Sequence, residues 1–390
     1  MPPVGRWDEV LRAEDTLAYQ LLVGIGRFVW LRRLLGLPSQ FAVDPGPSLE
    51  QREAQVRTIE RTWLARAVRA VFGGSGFRER RVGERDERDM PVVGPRLSRE
   101  IDAGLDLLSS MAFEEVQRRG WHIQPKHFYW PLNDLAFLRD HPHLWREPKL
   151  PGCIEWDVEG QMKLVERLAM YANELADVRD GAPDRPGEFT WGQGFGGLDA
   201  YAYYGLVRDL KPARVVEVGI GLSSLLLHRA ILANERKCDV TLIDPGPPWH
   251  VMGDVPGGWR LLPDFVHDVD LDVFSRLEAG DVLFYDGSHC VQTGSDVNWM
   301  FFEVLPRLQK GVWIHIHDVS FPRDYAEAWI FDEGFSWNEQ YLVQAFLMYN
   351  DSYRVRLGSV LLHHQQGPVL EQLFPTNISG ASSIWLEKVA

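Results

Sequence analysis

The sequence is poor in the residues that stabilise disulfide-rich or metal-clustered small domains. Its 390 residues include only three cysteines, Cys153, Cys238 and Cys290, and their spacing matches neither a disulfide framework nor a metal-binding motif. The opening residues, MPPVGRWDEV, lack the basic start and the apolar core of a signal peptide. These absences favour a reducing compartment, and we expect a cytoplasmic protein.

Positive charge is also scarce. The chain carries 41 Lys and Arg residues against 55 Asp and Glu residues, which gives a formal net charge of −14 at pH 7. Nucleic acids and anionic membrane surfaces are bound through basic faces, because the phosphates that they present are negatively charged. The charge balance therefore argues against a general nucleic-acid or membrane-surface binder.

Long apolar runs are missing as well. The most hydrophobic early stretch, at 16–37, is interrupted by Arg27, Arg32 and Arg33, whereas a membrane span needs about 20 predominantly apolar residues. We predict no transmembrane segment, but a helix that is buried or faces a partner. A helix that lies on a membrane surface, with its arginines on the polar side, remains the alternative.

Apolar residues make up 45% of the chain, which is enough for a large core. The sequence divides into successive zones with different patterns. Residues 1–95 predict a helical N-terminal region, with helices at 16–37 and 48–72 and a polar connector after them. Residues 96–195 predict a second helical region, and it carries the aromatic-rich segment WHIQPKHFYWPLND at 121–134. The main zone covers 196–368, and a C-terminal extension covers 369–390.

From residue 196 onward, short β-branched runs alternate with helical patterns. The strand-like runs are ARVVEVG, CDVTLID, DVLFYDG and GVWIHIHD, and the helical ones between them are SSLLLHRAILAN and DVNWMFFEVLPRLQ. Strands that are separated by helices are typical of a parallel sheet with both faces covered. The pattern predicts an α/β fold with a doubly wound sheet, in which ligands bind beyond the carboxyl ends of the strands.

Polar side chains stand where four of these strands end. They are Glu217, Asp244, Asp286, and the pair His317 and Asp318. Because the carboxyl ends of parallel strands meet at one edge of a sheet, their convergence predicts a pocket there. Strand alternation places His315 on the same face as His317 but one pleat deeper, so we predict that His315 is a hydrogen-bonded histidine of the core or one that supports the site residues from behind.

The turn after the first strand, VGIGLSS, has the features of a nucleoside-binding loop. Gly219 and Gly221 let the backbone turn tightly, and Asp244 lies 25 residues beyond Gly219, near the offset of roughly 20 expected of a carboxylate that binds ribose hydroxyls. A nicotinamide site prefers a third glycine where this chain has Ser224, and Glu217 would lie close to its phosphates. A cationic ligand without phosphates suits these carboxylates better, so we predict S-adenosylmethionine as the cofactor.

The motifs EVGIGLS, LID, YDGSH and IHIHD resemble those of class I S-adenosylmethionine-dependent methyltransferases. The closer likeness is to the macrolide-sugar and cephalosporin-cluster O-methyltransferases, and HDVSFP with WNEQYLVQAFLMYN resembles an uncharacterised bacterial methyltransferase group. The resemblance implies that 196–368 form a Rossmann-like methyltransferase sheet, mostly parallel with a C-terminal antiparallel strand. The predicted cofactor contacts are Glu217, Gly219, Gly221, Ser223, Asp244 and Asp268.

By the same resemblance, Asp286 of DGSH binds magnesium and His289 is the general base toward a sugar hydroxyl. Two acidic metal ligands of that family correspond to His317 and Asp318. His317 is a departure, because magnesium prefers oxygen ligands whereas imidazole suits zinc or iron. We predict Asp286, His317 and Asp318 as ligands of a divalent ion such as Mg²⁺ or Mn²⁺, and Asp286, His289 and His317 as catalytic residues. His289 acting without a metal, or capping a helix near Ser295, remains the alternative.

These residues predict methyl transfer to a hydroxyl of a sugar, a glycan or a glycosylated natural product. The pKa of such a hydroxyl lies far above 7, so its reaction needs a base, or a cation that acidifies it. Two other functions remain open, which are a nicotinamide-dependent oxidoreductase on the same fold and a non-catalytic partner protein with a methyltransferase fold. The expected partner is a small-molecule or glycan acceptor, with no nucleic acid, and a homo-oligomer remains compatible with the sequence.

The aromatic segment at 121–134 is a candidate wall for that acceptor. Aromatic faces suit both sugars and flat rings, although aromatic clusters also pack between domains. We expect the helical half of the chain to close over the acceptor. The candidate wall residues are His122, His127, Tyr129 and Trp130.

Overall fold

A computed structural model describes residues 104–105, 113–118, 122–124, 126–181, 186–191, 194–375 and 378–390. The chain divides into two compact units, Met1–Trp130 and Pro131–Ala390. The helices predicted at 16–37 and 48–72 lie outside the described residues.

In the first unit, Phe113–Gln117 form helix α1. His127 stacks on Phe128 in the aromatic segment, whose role as an acceptor wall stays a prediction.

The second unit is built around a seven-stranded sheet in the order β3-β2-β1-β4-β5-β7-β6. Strand β7 pairs antiparallel with both of its neighbours, and the other pairs are parallel. The predicted α/β sheet with a C-terminal antiparallel strand is therefore confirmed. The strands are β1 Arg214–Val218, β2 Asp239–Ile243, β3 Arg260–Leu262, β4 Val282–Tyr285, β5 Trp313–His317, β6 Tyr353–Gly358 and β7 Ser383–Lys388.

Helices and short turns connect the strands. The helices are α2 Leu135–Asp140, α3 Val158–Ala169, α4 Gly197–Leu210, α5 Leu222–Asn234, α6 Trp249–Met252, α7 Asp272–Ser275, α8 Asp296–Trp299, α9 Leu305–Arg307, α10 Glu327–Phe331, α11 Glu339–Leu347 and α12 Ser359–Leu373. The 3₁₀ turns are Pro142–Leu144, Ala172–Leu175 and Val266–Asp268, and a π-helical turn, Met300–Val304, joins α8 to α9.

The sheet has an apolar core on each face, as the alternation of its strands dictates. In β4, Phe284 contributes to one core, while Leu283 and Tyr285 contribute to the other. All five residues of β5 are buried, including its two histidines. Strands that are buried on both faces need continuous hydrophobic runs, which explains why these segments were recognisable in the sequence.

The last strand comes from the end of the chain and enters the interior of the sheet. Strand β7 lies between β5 and β6, and it pairs Ser383 with His317 where β5 ends. Helix α12 runs through residues 368 and 369, the predicted boundary of the C-terminal extension. The segment after that boundary thus supplies a strand that borders the predicted site.

No helix within the described residues is both long enough and apolar enough to span a bilayer.

Replacing Gly219 by alanine should destabilise the protein. The φ angle of Gly219 is +82°, and a Cβ there would lie 2.0 Å from the carbonyl oxygen of Asp286. Backbone strain alone costs roughly 1–3 kcal/mol, so we expect the free energy of unfolding to fall by at least about 2 kcal/mol in urea titrations. Gly221→Ala is the matched control, because a Cβ at Gly221 meets open space and should cost about 1 kcal/mol or less. Equal losses in both variants would contradict this expectation.

Candidate active site

The four polar strand ends do meet at one edge of the sheet. Strands β2, β1, β4 and β5 are consecutive neighbours and parallel, so their carboxyl ends point the same way. The backbone joins these ends directly, because Gly219 N–H donates to the carbonyl of Ile243 and Asp286 N–H donates to that of Val218. The turn after β1 and the loop after β4 are therefore held against each other.

Asp244, after β2, shapes the glycine turn from the other side. Its carboxylate accepts hydrogen bonds from the backbone N–H of Ile220 at 3.0 Å and of Gly246 at 2.7 Å. Asp244 is half-buried, and the Cβ position of Gly221 faces open space. A ligand can therefore approach the backbone at Gly221 and a carboxylate whose orientation is already set. This geometry suits a nucleoside with free ribose hydroxyls.

Glu217 is turned inward, under the glycine turn. It is completely buried, and its carboxylate accepts hydrogen bonds from the hydroxyls of Ser223, Ser224 and Tyr203. Burial raises the pKa of Glu217 to about 7, against an ordinary value of 4.5. Glu217 and Ser223, both predicted to bind the cofactor, thus bind each other and anchor the first turn of α5. Asp268 is exposed and ends the 3₁₀ turn after β3.

Asp286, His289 and Asp318 form a compact cluster beside the turn. His289 Nε2 lies 3.3 Å from Asp286 Oδ1 and 3.3 Å from Asp318 Oδ2. One potential ligand atom from each of the three residues lies within 4.8 Å of the others, a spacing that could hold a metal ion. His289 and Asp318 both have positive φ angles, +59° and +53°, which non-glycine residues rarely adopt. Such backbone strain is common where a functional geometry is imposed.

The second nitrogen of His289 faces another carboxylate. His289 Nδ1 lies 2.9 Å from Glu339 Oε2, and Trp337 packs on the ring at 4.4 Å between centroids. Burial lowers the pKa of His289, but Asp286 and Glu339 outweigh it and raise that pKa to about 10. In this arrangement His289 is protonated at neutral pH, so it cannot act as a proton acceptor. The alternative of a helix cap is not what the structure has, because Ser295 itself caps α8.

Asp286 remains ionised within this cluster. Burial would raise the pKa of Asp286, yet the facing charges of His317 and His289 hold it below its usual value. A carboxylate that stays ionised beside an imidazolium is also one that can exchange that partner for a metal cation.

His317 lies at the margin of the cluster. Its Nε2 atom is 3.7 Å from Asp318 Oδ1, while its Nδ1 atom is 3.2 Å from His315 Nε2. The group that could hold a metal thus contains His289 in the place that the sequence analysis assigned to His317. His315 is completely buried and stacks on Phe284, and burial lowers its pKa well below the ordinary value. His315 is therefore a core residue that bonds His317 through Nε2, while its Nδ1 atom has no hydrogen-bond partner among the described residues.

Three residues that the sequence analysis missed support the cluster from distant parts of the chain. Ser382 Oγ donates to Asp318 Oδ1 at 2.8 Å, and Asp199 Oδ2 accepts from the backbone N–H of Ser382 at 2.6 Å. Glu339 holds His289, as described above. Asp199 was detectable as a lone acid in the apolar stretch GLDAYAYYGL, and Glu339 belongs to the quoted WNEQYL motif. Nothing in the local sequence marked Ser382.

Comparison with known proteins supports a methyltransferase domain around this site. Residues 216–319 match the sequence profile of a family described as a methyltransferase domain. The match begins in β1 and ends just after Asp318, so it covers the glycine turn, Asp244 and the Asp286–His289–Asp318 cluster. It confirms, over these residues, the predicted resemblance to class I S-adenosylmethionine-dependent methyltransferases. A protein of Archaeoglobus fulgidus is 29% identical over 183 residues, 42% of this chain and 78% of that protein.

Two solved structures are among the similar ones. The SAH-bound methyltransferase PaMTH1 of Podospora anserina is 12% identical, with 68% of this chain and 100% of that chain covered and a TM-score of 0.32. A structure described as "cmcI-D160 Mg-SAM" is 16% identical, with 66% and 100% covered and a TM-score of 0.30. These TM-scores are low, so the two structures carry no argument about function.

Glu217 should make stability depend on pH. Its carboxyl holds a proton more tightly when folded than when unfolded, so the free energy of unfolding should fall as the pH rises from 4.5 to 7. At about 1.4 kcal/mol per pKa unit, the loss is of the order of 3 kcal/mol. Glu217→Gln should remove this loss in urea titrations at pH 5 and pH 8. Glu174→Gln, which alters a carboxylate bound to Arg208, should leave it in place. A pH dependence unchanged by Glu217→Gln would disprove the assignment.

Proposed function

We propose that this protein is an S-adenosylmethionine-dependent methyltransferase that methylates a hydroxyl oxygen with the help of a divalent metal. One observation carries the proposal, namely that a glycine turn suited to a nucleoside and the Asp286–His289–Asp318 cluster occupy the same edge of one sheet. The proposed acceptor is a small molecule that carries a sugar, or a glycan. A donor site and a hydroxyl-activating site in direct backbone contact are what methyl transfer between two bound partners requires.

The cofactor would be held by the turn after β1 and by Asp244. Both oxygens of Asp244 already accept from backbone N–H groups, and each oxygen has a second lone pair that can accept from a ribose hydroxyl. Gly221 leaves room for the ligand, and the buried Glu217 sets the position of the turn without facing the ligand itself. When bound, S-adenosylmethionine supplies an electrophilic methyl group, and its positive charge suits an edge that carries several carboxylates.

The metal would be held by Asp286, Asp318 and His289. Two carboxylates and one imidazole suit Mn²⁺, Fe²⁺ or Zn²⁺ better than Mg²⁺, which prefers an all-oxygen site. The bond from His289 Nδ1 to Glu339 is the outer-shell arrangement usual for metal-bound histidines, because it directs the other nitrogen toward the metal. When bound, the ion would lower the pKa of a nearby acceptor hydroxyl. His317, which directly precedes Asp318 in the chain, is the alternative to His289 as the third ligand.

The chain's own residues would then position the acceptor. Asp286 and Asp318 fix where the acceptor oxygen can approach, and Trp337 covers one face of His289. Because the pKa of His289 is about 10, binding of a metal at Nε2 should release a proton at neutral pH. His289 acting as a general base without a metal has less support, because its pKa of about 10 keeps it protonated at neutral pH.

Asp244→Ala should weaken binding of S-adenosylhomocysteine by at least tenfold. Loss of a charge-assisted hydrogen bond costs about 1.5–3 kcal/mol, and about 1.4 kcal/mol corresponds to one factor of ten in affinity. Isothermal titration calorimetry would measure the affinity for S-adenosylhomocysteine, and a parallel titration would measure the affinity for NAD. Asp239→Ala, an exposed aspartate at the opposite end of β2, should change the affinity less than twofold. Saturable binding of NAD but not of S-adenosylhomocysteine to the folded wild type would refute the proposed cofactor.

Metal-free protein should bind Mn²⁺, which electron paramagnetic resonance detects directly. Asp286→Asn and Asp318→Asn should each abolish tight binding, because each removes a charged ligand. His289→Asn should weaken binding by more than the roughly 10- to 100-fold that loss of an outer-shell partner costs, and His317→Asn should weaken it less. A larger loss of Mn²⁺ affinity in His317→Asn than in His289→Asn would assign the ligand role to His317. Absence of Mn²⁺ binding, together with methyl transfer that resists chelators, would exclude the metal.

A further inference from the structure

Glu339 is a buried carboxylate with an unusual lack of partners. It is 1% exposed, and it opens helix α11 more than 20 residues after the end of β5. Among the described residues, its Oε1 atom has no hydrogen-bond partner, and its Oε2 atom contacts His289 Nδ1 at 2.9 Å. Burying a carboxylate is costly unless its charge is compensated, so a residue needed only for packing would be apolar here.

The same helix start also holds the loop that carries His289. The backbone N–H groups of Asn338 and Glu339 both donate to the carbonyl of His289, each at 3.1 Å. Asn338 Oδ1 also accepts from the backbone N–H of Val291. The main chain of this loop is therefore attached to α11 without the Glu339 carboxylate. What the carboxylate adds is control of the imidazole ring.

The ring has two ways to face its surroundings, and the carboxylate selects one of them. A 180° rotation about the Cβ–Cγ bond would change which ring atoms face Glu339 and which face Asp286 and Asp318. Glu339 is an acceptor when ionised, so it favours the orientation in which Nδ1 carries a proton toward it. Nε2 is then directed at Asp286 and Asp318, as the two 3.3 Å distances show.

We propose that Glu339 is a positioning residue that fixes the orientation of the His289 ring, so that Nε2 faces the Asp286–Asp318 pair. This role deepens the proposed function, on which its catalytic meaning rests. The orientation itself can be measured without metal, cofactor or acceptor. A structural clasp between α11 and the loop is the competing explanation, and it would act through stability rather than through the ring.

The first test observes the ring directly in the metal-free full-length protein. In ¹⁵N-histidine-labelled protein, the buried Nδ1–H of His289 should give an exchange-protected downfield proton, assigned by its loss in His289→Asn. Glu339→Gln should abolish that signal or move it upfield, because the charge-assisted bond is lost. Asp281→Asn is the matched control, since Asp281 is a buried carboxylate that bonds Arg214 at the opposite end of β4. An unchanged signal in Glu339→Gln would overturn the proposal.

The second test asks whether Glu339 acts through His289, by a double-mutant cycle on Mn²⁺ affinity. Glu339→Gln should weaken Mn²⁺ binding roughly 10- to 100-fold in the wild type, the usual effect of losing an outer-shell partner, and have no further effect in His289→Asn. An equal loss in both backgrounds would support the structural clasp and overturn the proposal. Affinity for S-adenosylhomocysteine should stay within twofold.

One outcome keeps the two proposals distinguishable. If wild-type protein binds no Mn²⁺ while the ring signal still depends on Glu339, the metal hypothesis fails and the positioning role stands.

If Glu339→Gln does not fold, Glu339→Asp replaces it, because this variant keeps the charge and shortens the side chain by one methylene. It should displace the ring signal in the same way, and a wild-type signal in folded Glu339→Asp would count against the proposal.

Discussion

The close approach of the Gly219 turn to the chain at Asp286 is the constraint on which the rest of the site depends. No side chain fits at position 219, because its Cβ would overlap the Asp286 carbonyl oxygen. The turn that would receive the methyl donor and the loop that carries the acid–histidine cluster are thereby in contact through their backbones. The two halves of the reaction need no further device to bring them together, and side chains have only to orient what the backbone has placed.

Buried acids provide that orientation, and each has a distinct role. Glu217 binds the hydroxyls at the start of α5, Asp199 fixes the segment that holds Asp318, and Glu339 faces His289. Such groups are costly to bury, so their presence indicates positions where geometry matters more than stability. The half-buried carboxylates of Asp244, Asp286 and Asp318 lie at the same edge of the sheet, and they suit cationic partners such as a metal ion or a sulfonium.

The prediction was most successful where short-range patterns carry the information. Strands β1, β2, β4 and β5 were recognisable because strands buried on both faces need continuous β-branched and apolar residues. Their polar ends were recognisable because such residues are out of place in a buried strand. Strand β3 has only three residues and β6 alternates, so neither produced a distinct run. The pairing of β7 beside β5 depends on contacts across more than 60 residues, which no local pattern encodes.

The sequence by itself determined the α/β class, the order of the strands along the chain and the residue types available at the site. The tertiary structure decided which of them meet. Whether His289 or His317 joins Asp286 and Asp318 depends on a positive φ angle in a loop and on a carboxylate 50 residues away, Glu339. Whether Glu217 faces a ligand or the core depends on hydroxyls from two neighbouring helices. Local sequence specifies strands and turns through backbone preference, whereas the direction of a polar side chain is set by whichever distant partner can satisfy its hydrogen bonds and charge.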